Sequence, residues 1–168
     1  MSTHRITVHV NGEAYDRTVD CRRLLSDFLR HDLYLRGTRV GCEHGVCGSC
    51  TVLLDGEPVR ACTTLAVQTA DAEVETVEGL SGGSSGEDVS ELHPMQEAFS
   101  ECHGLQCGFC TPGFLMSVKP AYDAGLRLDP AQIRELISGN ICRCTGYQQI
   151  VESVARAFAL RDGAGADD

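Results

Sequence analysis

Residues 41–50 read Gly-Cys-Glu-His-Gly-Val-Cys-Gly-Ser-Cys, and the cysteines of this stretch decide how the first half of the chain folds. Cys42, Cys47 and Cys50 are spaced C-x4-C-x2-C, and Cys62 follows from the next hairpin. Four thiolates so arranged match the plant-type [2Fe–2S] pattern. Such a cluster is anionic, more so when reduced, and backbone N–H groups must come close to its sulfurs. Gly41, Gly45 and Gly48 remove side chains that would block that approach and permit left-handed backbone. Zinc also suits four cysteines, but this loop departs from the paired knuckles of zinc ribbons. A His44 ligand would displace a fully cysteinyl set, so His44 reads as a supporting or solvent-facing residue. Glu43 reads as a surface or interface residue.

Around this loop the pattern is that of a small α+β unit. Residues 5–20 form two strands about the turn Asn11-Gly12, with Ile6, Val8 and Val10 alternating along the first. Leu24, Leu25, Phe28, Leu29 and Leu33 recur at helical spacing and predict a helix lying across the sheet. Residues 51–54 and 59–62 form a second hairpin about Asp55-Gly56, and Val74 to Val77 supply a last strand. This unit covers residues 1–80.

Ser81-Gly82-Gly83-Ser84-Ser85-Gly86 has linker composition, and the linker is placed at 81–92. Residues 93–160 read as helical throughout. Met95, Ala98, Phe99 and Cys102 stripe one helix after His93-Pro94. Thr111-Pro112 and Asp129-Pro130 each set a capping residue before a proline at the first helical position, and Gly139 can end the second of these helices. Pro120 predicts a kink or an early stop. Tyr147, Ile150, Val151, Val154 and Phe158 stripe a fourth helix, and residues 161–168 are expected to be a disordered tail.

The helical half carries a second set, Cys107, Cys110, Cys142 and Cys144, as C-x2-C and a distant C-x-C. On spacing alone zinc is a fairer competitor here. Cys110 and Cys144 each precede a helix, so two positive helix ends could face one anionic cluster. Cys21 and Cys102 complete the ten cysteines and are read as buried packing residues.

Bulk properties exclude several functions. A net charge of −10 over 168 residues repels phosphate backbones and anionic membranes, and with no Trp and 5% aromatics there is little to stack single-stranded bases on. No nucleic acid and no membrane insertion are expected. The first residues alternate polar and apolar without an export or membrane segment, and Arg22-Arg23 precede a charged amphipathic stretch instead of an export signal. The chain therefore reads as cytoplasmic, where cysteines stay reduced and ligate metals. Acidic residues run from Asp71 to Glu101 with no Lys or Arg between Arg60 and Lys119, the mark of a solvated face. No P-loop, G-x-G-x-x-G or Ser/His/Asp arrangement occurs.

Three stretches together, residues 41–50, Gln106-Cys-Gly-Phe-Cys-Thr-Pro-Gly113 and Gly139-Asn-Ile-Cys-Arg-Cys-Thr-Gly-Tyr147, resemble the small iron–sulfur subunit of the molybdenum hydroxylases, the xanthine dehydrogenase family. The resemblance spans nearly the whole chain. It implies a ferredoxin-like β-grasp domain followed by an all-α four-helix domain, each with one [2Fe–2S] cluster on the cysteine sets named above. It implies as partners a large catalytic subunit with a molybdopterin cofactor and a medium subunit with FAD, in a complex that dimerises. Electrons would pass from molybdenum to the cluster of Cys107, Cys110, Cys142 and Cys144, then to that of Cys42, Cys47, Cys50 and Cys62, then to FAD or another acceptor. By the same resemblance Gln106 contacts the pterin and Cys144 lies close to it, while no substrate chemistry falls on this chain. The linker is longer and richer in Gly and Ser than the family requires, and Cys102 and Pro120 match no motif.

Overall fold

The computed structural model describes residues 2–81 and 92–163. Most of the linker expected at 81–92 and the end of the expected tail, from 164, lie outside the described residues. Strands β1 (Thr3–Val10) and β2 (Glu13–Asp20) pair antiparallel about Asn11 and Gly12, whose φ of 52° and 82° suit a two-residue hairpin turn. Strands β3 (Thr51–Leu54) and β4 (Glu57–Arg60) form the second hairpin. Strand β5 (Glu73–Glu75) completes a sheet of order β2-β1-β5-β3-β4, parallel to β1 and antiparallel to β3. The last strand stops short of Val77 because the Asn11 side chain accepts the Thr76 N–H at 2.8 Å, and a 3-10 turn follows at Val77–Gly79.

Helix α1 (Leu25–Asp27) runs directly into a π-helical turn over Phe28–Asp32, so the helix expected over Leu24 to Leu33 is present but widens after its first turn. Leu24 pairs with Leu65 in an isolated bridge, while Leu25, Phe28 and Leu29 are fully buried. In the second half stand α2 (Pro94–Glu101), α3 (Thr111–Asp123), α4 (Pro130–Leu136) and α5 (Gln148–Arg161). His93 caps α2 through Nδ1, which accepts the Met95 N–H, and Gln96 reaches back to the His93 N–H at 2.9 Å. Asp129 caps α4 as expected, accepting the N–H groups of Ala131 and Gln132.

Four expectations for this half need correction. Helix α3 begins one residue earlier than Pro112, so Thr111 has helical backbone and cannot cap; its hydroxyl is buried without a partner, and Cys110 takes the cap position. Pro120 does not stop α3, which runs on to Asp123. Burial of Leu115, Met116, Val118, Ala121 and Tyr122 holds the last turn although the Met116 carbonyl loses its helical donor. Gly139 does not end α4, which gives way at Ile137. The chain is still ordered at Arg161, whose guanidinium donates to the Tyr122 and Leu126 carbonyls at 2.6 and 2.8 Å and lies over the Tyr122 and Phe158 rings.

Two cores meet across the sheet. One joins Ile6, Val8, Val10, Val52 and Val74 to Phe28, Leu29, Cys50 and Cys62. The other joins Phe99, Phe114, Ile133, Ile150 and Val154 to Leu53 of β3, on which α3 packs. Covering on both faces explains the unbroken apolar run Val52-Leu53-Leu54. Among the described residues no helix is long and apolar enough to cross a membrane.

Candidate functional site

The first cysteine set is built half on a loop and half in the core. Cys50 and Cys62, 1% and 3% exposed, flank β3 and β4 and belong to the sheet-side core. Burial pushes the Cys50 thiol up to about 12, the neighbouring Cys62 thiol adding to the effect. Cys42, at the loop surface, behaves oppositely. The Cys47 N–H points at its sulfur at 3.4 Å, and this backbone donor, followed by that of His44, draws the Cys42 thiol down to about 6. His44 turns its Nδ1 back onto the Cys42 carbonyl and Glu43 is exposed, so neither joins the sulfurs.

The second set gathers between the start of α3 and the loop before α5. Cys107 and Cys144 are exposed and their sulfurs stand 3.6 Å apart. Burial raises the Cys110 thiol to about 12, with the Cys142 thiol against it. Thr145 donates to the Cys142 sulfur from its hydroxyl at 3.2 Å and its N–H at 3.4 Å, and the Cys142 N–H donates to Tyr147 Oη at 3.0 Å. A cavity of about 310 Å³ is walled by all four of these cysteines with Gly41, Cys47, Ser49 and Phe109. The helix ends are less symmetrical than expected. Cys110 stands at the cap position of α3, whereas Cys144 lies three residues before Tyr147, which holds the cap position of α5 in left-handed backbone at φ 71°.

All ten cysteines are free thiols. Among the described residues no three His, Cys, Asp or Glu side chains converge closely enough for a single ion. The sulfurs approach instead in pairs, Cys50 with Cys62, Cys107 with Cys144, and Cys110 with Cys142. An all-thiol donor set spread as pairs, with backbone and hydroxyl donors aimed at sulfur, fits a two-iron cluster in which each iron takes two thiolates.

The two sets are joined by main chain. The Ile141 N–H donates to the Cys47 carbonyl at 2.9 Å, linking a residue of the first set to the neighbour of Cys142. Asn140, 3% exposed, donates to the Gly48 carbonyl at 3.0 Å and accepts from Ser117 Oγ at 2.9 Å. Arg60 donates to the Gly139 carbonyl at 2.8 Å. Gly48 is required twice over. Its φ is +74°, and a Cβ there would sit 2.5 Å from the Gly139 oxygen. The sequence suggested that Gly48 clears space for a cluster; in the fold it clears space for the other half of the chain. Gly113 does the same from α3, where a Cβ would sit 2.3 Å from the Gly48 oxygen.

Two family models match the chain, and their ranges overlap at residues 76–99. Residues 38–99 match the model of a 2Fe-2S iron-sulfur cluster binding domain, and residues 76–155 that of a [2Fe-2S] binding domain. The chain is 62% identical, over 96% of its length and 98% of the relative's, to the beta subunit of the 6-hydroxypseudooxynicotine dehydrogenase complex of Paenarthrobacter nicotinovorans. It is 54% identical to the gamma subunit of caffeine dehydrogenase of Pseudomonas sp. (strain CBB1), covering 92% of this chain and 90% of that one. The chain belongs to the small iron–sulfur subunits of the molybdenum hydroxylases. Among solved structures, this iron–sulfur subunit is similar to quinoline 2-oxidoreductase from Pseudomonas putida 86, at 44% identity and a TM-score of 0.85 over 96% of this chain and 98% of that chain. Aldehyde oxidoreductase from Desulfovibrio gigas gives a TM-score of 0.87 at 41% identity over 96% of this subunit but 17% of that longer chain.

Gln106 is exposed beside Cys107. Cys21 and Cys102 are only half-buried and lie outside both cores, because one sits in a turn after β2 and the other at the end of α2. The acidic run is not simply solvated either. Glu78 accepts the Gly37 N–H at 2.6 Å, Glu75 pairs with Lys119, and Glu101 pairs with Arg156. Sequence reasoning missed Asn140, Ile141 and the Tyr147 hydroxyl. Their position inside or beside the Cys142–Cys144 motif was the available signal.

Proposed function

We propose that this chain is the electron-relay subunit of a molybdopterin-dependent hydroxylase or dehydrogenase, with one [2Fe–2S] cluster on Cys42, Cys47, Cys50 and Cys62 and another on Cys107, Cys110, Cys142 and Cys144. The observation that carries this reading is the paired approach of thiol sulfurs in two places joined by the Ile141 N–H to Cys47 carbonyl hydrogen bond. When bound, the clusters supply one-electron storage at each place, so that reducing equivalents can travel from a molybdopterin-bearing subunit toward FAD or another acceptor. The protein residues hold and insulate. Thr145 and the backbone donors of the Cys42 loop offset negative charge on sulfur, and the sheet-side core keeps water from Cys50 and Cys62.

The sheet order and the two cores support a β-grasp, ferredoxin-like domain over 1–80 and a four-helix domain over 93–160. Exposure of Cys107 and Cys144, with exposed Phe109 and Ile141 in the same cavity wall, supports the helical set as the one that meets the molybdenum subunit, with Gln106 at the pterin. The first set then faces the outgoing acceptor. Free thiols throughout agree with a cytoplasmic complex. Relatives at 51–62% identity are named for 6-hydroxypseudooxynicotine, caffeine and nicotine, whereas those at 40–42% comprise aldehyde oxidoreductases and a probable xanthine dehydrogenase subunit. That ordering favours a nitrogen heteroaromatic substrate on the large subunit.

Electron paramagnetic resonance of the dithionite-reduced protein tests the cluster assignment. Two distinguishable [2Fe–2S] signals, each of one spin, are expected; one signal integrating to a single spin contradicts it. Substrate class is tested by visible bleaching of the intact complex under argon. Reduction by nicotine or caffeine is expected, and reduction by benzaldehyde alone overturns the heteroaromatic assignment.

A further inference from the structure

Ser49 lies between Cys47 and Cys50 in the chain, yet it lines the cavity walled by Cys107, Cys110, Cys142 and Cys144. It is 3% exposed. Its Cα packs into the space left by Gly113, 2.9 Å from where a Cβ on that glycine would stand, so the residue has little freedom to turn outward. Its Oγ stands 3.8 Å from the Cβ position of Gly41, another residue of the same cavity wall. Among the described residues no partner takes the hydrogen of this hydroxyl, and its oxygen, unlike those of Thr38 and Thr111, is not fully enclosed, so it can face the cavity that the residue lines.

The cavity offers sulfur as the acceptor. We infer that the Ser49 hydroxyl donates to a sulfur of the cluster held by the second cysteine set, so that the loop carrying the first set tunes the second cluster. This rests on the ligand assignment proposed above. Thr145 already donates to Cys142, and Ser49 adds a donor from the other half of the chain. Hydrogen bonds to cluster sulfurs stabilise the more negative, reduced state and raise the reduction potential. Ser49 is a positioning and tuning residue and touches no substrate.

Its sequence neighbours make the opposite expectation easy to state: a residue between Cys47 and Cys50 should affect the first cluster. Redox titration of the cluster-loaded chain, followed by electron paramagnetic resonance, separates the two. The signal altered by Cys144→Ser identifies the second cluster. Ser49→Ala is expected to lower the midpoint of that signal so that its reduced-to-oxidised ratio at fixed ambient potential falls about tenfold, or about 59 mV for one electron. The first midpoint stays in place, and Ser49→Thr, which keeps a hydroxyl, restores the second. A shift confined to the first cluster, or no shift in either with both signals intact, overturns the inference. A wild-type protein with a single signal refutes the ligand assignment itself, a different result from an unmoved second midpoint.

Discussion

Cysteines a few residues apart occupy opposite chemical environments. In the cluster-free chain Cys42 is drawn down to about 6 by backbone donors, while burial pushes Cys50 and Cys110 up to about 12. Iodoacetamide at pH 7.5 should therefore alkylate Cys42 well before Cys50 or Cys110, as read by peptide mass spectrometry, with its rate falling as pH drops through about 6. Equal labelling of the three would refute this ordering. The sign for stability follows: a thiol lowered from 9.0 stabilises the fold fully above pH 9, and that contribution is lost as pH falls through about 6. Gly48→Ala meets both a left-handed φ and the Gly139 oxygen. It should cost about 1–3 kcal/mol from the backbone alone, or roughly 2–4 °C of Tm per kcal/mol for a chain of this size. A melting point within one degree of wild type would show that the loop relaxes freely.

At the level of elements, caps and packing share the work unevenly. Asp129→Ala removes the carboxylate oxygen that accepts both N–H groups at the start of α4 and should cost about 1 kcal/mol, seen as a lower thermal midpoint with iron content unchanged. Loss of iron would show that α4 positions ligands. The hairpins were legible because Asn11-Gly12 and Asp55-Gly56 admit few other conformations, and the Asp129-Pro130 start was legible for the same local reason. What could not be read depended on distant contacts. Pro120 was expected to kink or stop α3, and the stop does not occur because buried neighbours on that helix override one missing N–H. The helix over 24–33 was legible, but its widening at Phe28 was not, because the same apolar spacing satisfies α and π turns equally well. The two groups of four cysteines were legible from spacing, which left zinc open for the second group until the resemblance to the family was added. Ser49 and Asn140 were not, since their roles exist only once the two halves touch.

For the whole molecule, the two halves meet both through apolar packing of α3 on Leu53 and through a set of polar contacts. Asn140 bridges the halves, and Asn140→Ala leaves the Gly48 carbonyl and the Ser117 hydroxyl without this partner. A loss of about 1–3 kcal/mol is expected in chemical denaturation monitored by circular dichroism; an unchanged midpoint would mean that water replaces the amide without cost. The deep placement of Cys50 and Cys62 also sets the order of biogenesis. Their sulfurs lie within the hydrophobic interior of the sheet, closed over by α1 and the two hairpins. Iron and sulfide cannot reach them through a finished fold, so loading has to precede closure or wait for the β3–β4 hairpin to lift away. Reconstitution of the cluster-free chain with iron and sulfide should then proceed no faster than the local opening of this hairpin, and loading within the mixing time would refute that order.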